Sequence, residues 1–348
     1  MPNIKQNTLD VEKLKRLVEL PGPSGDEWRV RHIIKKEITP FVDEVYSDKF
    51  GNLIAHSKGA GAKVMLVAHM DEIGLMVKSI ETNGITCSEI GGFEAVMLLG
   101  EIVEVEAKGK FITGVVTMKE MANDEKIKKV IKMEDLLIDT GFSRDELIKQ
   151  GVEIGSYIHQ HPRTVFLRNG KLIVSKAIDD RMGCFVLMEL AKRLKKTRSD
   201  IYYVFTVQEE IGLYGGETSV YGLEPDWAIA VDTSGSDDFG NEHPSRKVGG
   251  GPCLTIKDSD MITNRCINDW LKAIAKKLNM PLQLDISDFG TTDALTISVS
   301  KGGIPCTVLG VVVRNIHSSV GVASLHDIAQ LIDLLEQLLK DPARKCVP

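Results

Sequence analysis

Five residues of metal-ligand type stand just beyond apolar, strand-like runs. Lys63–Ala68 runs into His69-Met70-Asp71, and Lys171–Ala177 runs toward Asp179-Asp180. Ile201–Val207 runs into Gln208-Glu209-Glu210, Trp227–Val231 into Asp232, and Cys306–Val313 leads to His317. In open α/β sheets ligands bind outside the carboxyl ends of the parallel strands, so these runs predict one shared rim. Two divalent metals about 3.5–4 Å apart need a bridging carboxylate and further His or carboxylate ligands on each side. Asp179, where a strand passes into a helix at Ala177-Ile178-Asp179-Asp180-Arg181, is the expected bridge. His69 and Asp232 then complete one metal, and Glu210 and His317 the other. Nitrogen and oxygen donors without thiolate suit zinc, cobalt or manganese, and zinc is placed first.

Singly, each residue has an ordinary explanation. Asp179-Asp180 can cap a helix, Asp232 beside Thr233 a turn, and glutamate pairs commonly lie on solvated surfaces. None of those explanations predicts a common location. Asp71, two residues beyond His69 and so on the same strand face, can accept the other imidazole N–H of His69. Neighbours on an extended segment point opposite ways, which leaves Glu209 free when Glu210 is on a metal. Glu209 is then the general base for a water bridging the metals, and passes the proton to a leaving amine. His32, His56, His159, His161, His243 and His326 lack such a setting and read as structural or surface residues.

The elements that must position these groups follow from local pattern. Leu9–Val18 has helical spacing and stops at Leu20-Pro21-Gly22-Pro23-Ser24-Gly25. Ser24 or Asp26 is the expected cap of a second helix reaching Ile38. A turn at Phe50-Gly51-Asn52 precedes a short strand, and Val64–Ala68 is continuously apolar, as a strand buried on both faces must be. Between Glu72 and Arg163 short alternating strands with frequent glycine predict a small β-rich barrel or sandwich. From Lys171 strand and helix alternate again, with amphipathic helices over Met182–Leu194, Asn264–Leu278 and Ile328–Leu339. The expected organisation is a discontinuous α/β domain, about 1–70 and 165–348, interrupted by a β-rich insertion over 71–164. A chain of 348 residues also exceeds the ~250–300 that one core supports.

Composition narrows the function classes. With 43% apolar and 26% charged residues and a net charge of −6, the chain reads as soluble, with no footprint for nucleic acid or anionic lipid. No stretch approaches the ~20 apolar residues of a membrane helix, and Met1–Leu20 lacks a secretory apolar region. Cys87, Cys184, Cys253, Cys266, Cys306 and Cys346 show no paired spacing and read as reduced residues of a cytoplasmic protein.

His69-Met70-Asp71-Glu72-Ile73-Gly74, Asp179-Asp180-Arg181, Gln208-Glu209-Glu210-Ile211-Gly212, Asp232 and Ile316-His317-Ser318 together resemble the motifs of the glutamyl, deblocking or tetrahedral (TET) aminopeptidases. These are dinuclear metallo-exopeptidases, some once labelled endoglucanase M. Gly22-Pro23-Ser24-Gly25-Asp26-Glu27, Asp48-x-x-Gly51-Asn52, Ile138-Asp139-Thr140-Gly141, Gly151–Gly155 and Gly290-Thr291-Thr292-Asp293-Ala294 fit as well. The resemblance implies a mixed-sheet zinc-exopeptidase domain sandwiched by helices, with the β-rich insertion serving dimerisation and dimers assembling into a hollow dodecamer. It implies the same roles for Asp179, Glu209, His69, Glu210, Asp232, His317 and Asp71 as their setting does. Related zinc peptidases hold the peptide after the bridging aspartate in cis, which implies the same for Asp179–Asp180.

The chain departs from the pattern at Asp180, where Asn is frequent, at Asn315, where Tyr is common, at Thr117-Met118-Lys119-Glu120, and at Gly250, where Lys is common. The expected function is a di-metal aminopeptidase acting on short peptides. Its rivals are a di-metal deacylase or amidase acting on blocked substrates, and a non-catalytic scaffold on a peptidase fold. A glycosidase needs two carboxylates flanking a sugar rather than a set of metal ligands, and fits less well. Arg246, Lys247 and Arg314 are candidate contacts for an acidic substrate side chain.

Overall fold

A computed structural model describes residues 9–122, 126, 129–195 and 197–340. The first strands are β1 (Glu44–Ser47), β2 (Leu53–Ser57) and β3 (Ala60–His69). Next come β4 (Gly74–Glu81), β5 (Gly84–Ile90), β6 (Ile102–Ala107), β7 (Lys110–Met118), β8 (Leu136–Asp139) and β9 (Tyr157–Gln160). After β10 (Val165–Leu167) and β11 (Leu172–Ser175) the chain returns with β12 (Ser199–Thr206), β13 (Trp227–Ala230) and β14 (Thr233–Gly235). It closes with β15 (Cys253–Lys257), β16 (Gln283–Ile286), β17 (Cys306–Val313) and β18 (Gly321–Ser324).

The main sheet is mixed, in the order β1-β2-β12-β3-β13-β17-β15-β16, with β14 pairing to β17. Its centre, β12, β3, β13 and β17, is parallel throughout. These strands read as unbroken apolar runs because both faces are covered. One face carries helices α1 (Val11–Glu19), α2 (Trp28–Ile38) and α5 (Ile178–Arg193), together with α7 (Arg265–Lys277) and α9 (Leu325–Leu339). The other carries α6 (Tyr214–Leu223) and α8 (Asp293–Val299). The short helices α3 (Lys119–Ala122) and α4 (Arg144–Gln150) belong to the stretch between β7 and β9. There β4 to β9 close into a barrel in the order β4-β5-β8-β7-β6-β9, around a core of its own that includes Leu75, Ile85, Val103, Ile138 and Ile158.

The local signals explain several element ends. Asn264 accepts from the Ile267 N–H and starts α7, and Ser324 caps α9 in the same way. Three expectations need correction. β11 is not in the main sheet but pairs with β10 and β18 in a separate three-stranded sheet. α2 begins after Glu27 with no side-chain cap, because the Ser24 hydroxyl donates instead to Asp71 at 2.6 Å. Cys266 is disulfide-bonded, whereas Cys87, Cys184, Cys253 and Cys306 are free and buried. Cys346 and the polar opening 1–8 lie outside the described residues. Among the described residues no helix is long and apolar enough to cross a membrane.

A buried ion network joins the barrel entrance to the sheet. Lys176 donates to both oxygens of Glu72 at 2.7 and 2.6 Å, and Arg181 Nη2 lies 3.6 Å from Glu72. Arg181 also donates to the carbonyls of Met70, Leu17 and Leu20 at 2.6, 2.8 and 3.0 Å, so one side chain ties α1 to the end of β3. Removing one partner of such a network leaves an uncompensated buried charge. Glu72→Ala is therefore expected to lower the unfolding free energy by about 3–5 kcal/mol. Lys176→Met should cost less, because Glu72 keeps Arg181 and the Gly22 N–H. Urea unfolding of both variants checks the order.

Candidate metal centre

The parallel centre of the sheet brings four segments to one edge. His69 is the last residue of β3, Asp232 follows β13, Glu209 and Glu210 follow β12, and His317 follows β17. At that edge the backbone leaves the extended region, with φ of +56° at Gln208 and +56° at His317. Asn315, where the resembled pattern has tyrosine, sits at φ +53°, a region that Asn enters more readily than most residues. The Asp232 carbonyl passes where a Cβ on Gly310 would lie, 1.4 Å away, so the neighbouring position on β17 admits only glycine.

Asp179 reaches the edge by another route. It stands in the first turn of α5, after Ala177 at φ +52°, and its peptide to Asp180 is cis. Its Oδ1 lies 3.2 Å from His69 Nε2 and its Oδ2 lies 3.5 Å from His317 Nε2. His317 Nε2 is 3.4 Å from Glu210, while His69 Nε2 is 4.0 Å from Asp232 and 4.0 Å from Glu209. The five residues read from the strand ends thus share one site. Glu209 and Glu210 both have carboxylate oxygens in this cluster, Glu209 beside His69 and Asp232 and Glu210 beside His69 and Asp179. Three trios each bring their donor atoms within 4.8 Å of one another: His69, Glu209 and Asp232; His69, Asp179 and Glu210; and Asp179, Asp180 and Asp232.

Asp71 lies behind His69. Its Oδ1 is 3.5 Å from His69 Nδ1 and its backbone carbonyl 3.1 Å. The same carboxylate accepts from Ser24 Oγ at 2.6 Å and from the N–H groups of Glu209 and Glu210 at 3.1 and 3.2 Å. Three groups near the site receive no role from the sequence, although their segments fit the resembled pattern. Ser24 and Glu27 sit in a turn whose local reading is a helix cap. Asp293, at the start of α8, is buried and accepts from Thr206 Oγ1 at 2.6 Å and from the Gly216 N–H at 3.2 Å.

The electrostatics are those of an anionic site short of cations. Burial pushes Glu210 up to about 8, with Asp179 adding to it. Burial raises Asp232 to about 7 against the pull of His69, and Asp293 to about 6. Glu27 rises to about 7 through burial and then Asp71. Burial also sends Glu209 well above the carboxylate range, with His69 opposing and Asp232 and Asp293 adding. Asp179 is the exception: hydrogen bonds from His317 and His69 overcome its burial and hold it well below that range. His317 rises to about 9, first through its bond to Asp179. Divalent cations would relieve this crowding, and the donor set of imidazole and carboxylate without thiolate fits them. The centre opens into a cleft of about 650 Å³.

The family described as M42 glutamyl aminopeptidase matches residues 51–334. Among solved structures, a TET aminopeptidase from a marine-sediment thaumarchaeon is 35% identical over 95% of this chain and 96% of that one, with a TM-score of 0.90. The TET1 peptidase of Pyrococcus horikoshii, which can assemble into a tetrahedron or a large octahedral shell, is 30% identical over 94% and 98%, with a TM-score of 0.85. The lysyl aminopeptidase of Pyrococcus furiosus is 32% identical over 96% of this chain and 97% of its own.

Two departures from the resembled pattern have structural settings. A Cβ on Gly250 would lie 2.7 Å from the Gln283 side chain, which accepts from the Lys247 N–H and donates to the Gly251 carbonyl. Asp180 is fully buried; its Oδ1 accepts from the Gly183 N–H at 2.9 Å and its Oδ2 has no partner. Burial, with Asp232 nearby, raises its carboxyl well above the usual range and favours the neutral form, which an amide can replace in shape. Asp180→Asn should therefore change the unfolding free energy of the metal-free protein by less than ~1 kcal/mol. A loss in urea unfolding of about 3 kcal/mol or more would mean that the carboxyl is ionised there.

Proposed function

We propose, for a chain that belongs to the M42 glutamyl aminopeptidase family and is an aminopeptidase hydrolase, a mechanism in which Glu209 is the general base beside a two-metal centre. The observation that carries this reading is the Asp179 carboxylate, with one oxygen toward His69 and the other toward His317. Asp179 would hold divalent ions, zinc first with cobalt or manganese as alternatives, together with His69 and Asp232 on one side and Glu210 and His317 on the other. Such ions supply Lewis acidity to the scissile carbonyl and lower the pKa of water.

The chain's own residues do the rest. Glu209, already biased by burial toward holding a proton, takes one from the attacking water and returns it to the departing amine. Asp71 fixes the ring of His69, a support whose loss typically costs 10–100-fold in metal affinity in other sites. The substrates are short peptides with a free α-amine, taken from the cytoplasm.

We take the insertion, residues 71–164, as a dimerisation domain within the discontinuous domain of 1–70 and 165–348. Its barrel exposes Ile102 and Val115, which face each other across β6 and β7. A closed shell built from dimers is the assembly this reading expects.

Glu209→Gln should leave metal content unchanged and lower kcat by about 10²–10⁴-fold. Asp179→Asn should instead lose bound metal, read by elemental analysis after dialysis. A panel of amino-acid p-nitroanilides and short peptides, with zinc, cobalt, manganese or chelator, tests the reaction itself. Release is expected only with metal and only from substrates with a free α-amine. Cleavage confined to N-acetylated substrates would establish the deacylase instead.

A further inference from the structure

The cleft extends well beyond the metal centre. Val308, Thr255 and Asp285 line it and form one cross-strand row over β17, β15 and β16. α6 and α8 pack over β12, β13 and β17, and the cleft opens beside them. Its ionisable lining away from the metal centre is Arg246, Asp258 and Asp285.

The cations of this region are already engaged. Arg246 Nη1 lies 3.3 Å from Asp285, so that pair cancels. Arg314 donates to both oxygens of Asp238, at 2.7 and 2.6 Å. Lys247 is not part of the lining. Asp258 has no such partner. Its Oδ1 accepts from the N–H groups of Asp260 and Met261 at 2.9 and 2.7 Å, and its Oδ2 accepts only the Thr291 hydroxyl at 3.2 Å. Among the described residues no lysine, arginine or histidine forms an ion pair with it. Asp258 is 5% exposed, so water screens its charge poorly. The far end of the cleft therefore keeps one uncancelled negative charge.

We propose that Asp258 is the specificity-determining residue of this cleft and selects peptides whose N-terminal side chain is cationic. The inference rests on the aminopeptidase reading above. An ammonium group entering the cleft gains a charge-assisted hydrogen bond to Asp258 Oδ2. An acidic side chain meets repulsion there, and finds Arg246 occupied by Asp285. With Oδ1 engaged by two backbone N–H groups, Oδ2 is the oxygen left with a lone pair to offer. A point-charge ammonium suits that geometry better than the two-pronged guanidinium, so lysine should rank above arginine.

The test uses the metal-loaded enzyme and two readouts. Calorimetry compares binding of L-lysinamide, L-norleucinamide and the α-amide of L-glutamate, and kinetics compares the matching p-nitroanilides. Lysinamide should bind about ten-fold or more tighter than norleucinamide, with a correspondingly lower Kd, and the lysine p-nitroanilide should exceed the norleucine one by a similar factor in kcat/KM through a lower KM. Asp258→Asn should bring the ratio to within about two-fold. Arg246→Gln, which frees Asp285, should raise it, and that variant decides alone if Asp258→Asn does not fold. A preference for norleucine or glutamate, or a ratio unmoved by both variants, overturns the proposal. Release of any free-amine p-nitroanilide upholds the aminopeptidase reading whatever the ranking. If none is released, that reading fails, and the binding ratios still decide the role of Asp258.

Discussion

One buried carboxylate organises the site. Asp71 accepts from Ser24 and from the N–H groups of Glu209 and Glu210, and stands against His69. Burial works to raise its carboxyl, and the bonds from His69 and Ser24 and from the backbone overcome that and hold it low. An ionised group at this depth costs free energy unless its lone pairs are satisfied. The loop before α2, the end of β3 and the segment after β12 are thus fixed relative to one another by one side chain. A displacement of any of the three would leave a buried anion without donors, so the positions of His69, Glu209 and Glu210 are coupled.

The residue after Asp71 performs the complementary task. Glu72 turns to Lys176 and Arg181, and two residues later the chain enters the barrel at β4. Arg181 in turn belongs to the helix that carries Asp179. Adjacent residues therefore serve the metal centre and the joint between barrel and sheet. Rigid support behind these side chains matters, because a catalytic or metal-binding constellation tolerates little displacement of its members.

Negative charge is the theme of the whole cleft. Asp179, Asp180, Glu209, Glu210, Asp232 and Asp293 crowd the edge of the sheet, and most are pushed toward holding protons. Away from the metal centre the cleft repeats the imbalance in milder form at Asp258, with which no cation among the described residues forms an ion pair. Cations, inorganic or on a substrate, therefore have much to gain in this cleft.

Much of this was legible in the chain itself. Continuous apolar runs marked β3, β12, β13 and β17, because strands buried on both faces admit little else. Ligand-type residues at their ends followed from the same runs, and α7 and α9 declared themselves through spacing and local caps. What the sequence could not fix depends on contacts between distant segments. β11 joins a separate sheet, so Asp179 enters from the first turn of α5 rather than from a strand of the main sheet. Glu209 joins the cluster just after Gln208, which adopts a left-handed backbone that its residue type does not announce. Ser24 looked like a cap and became a donor to Asp71, and Cys266 looked like a free thiol and is disulfide-bonded. Arg246 and Arg314 looked like free cations until Asp285 and Asp238 were found beside them. Periodicity and spacing carry information about burial and backbone direction, which the chain encodes locally. Which charges meet, and which are left without a partner, is set by packing between elements far apart in sequence, and only the folded structure decides it.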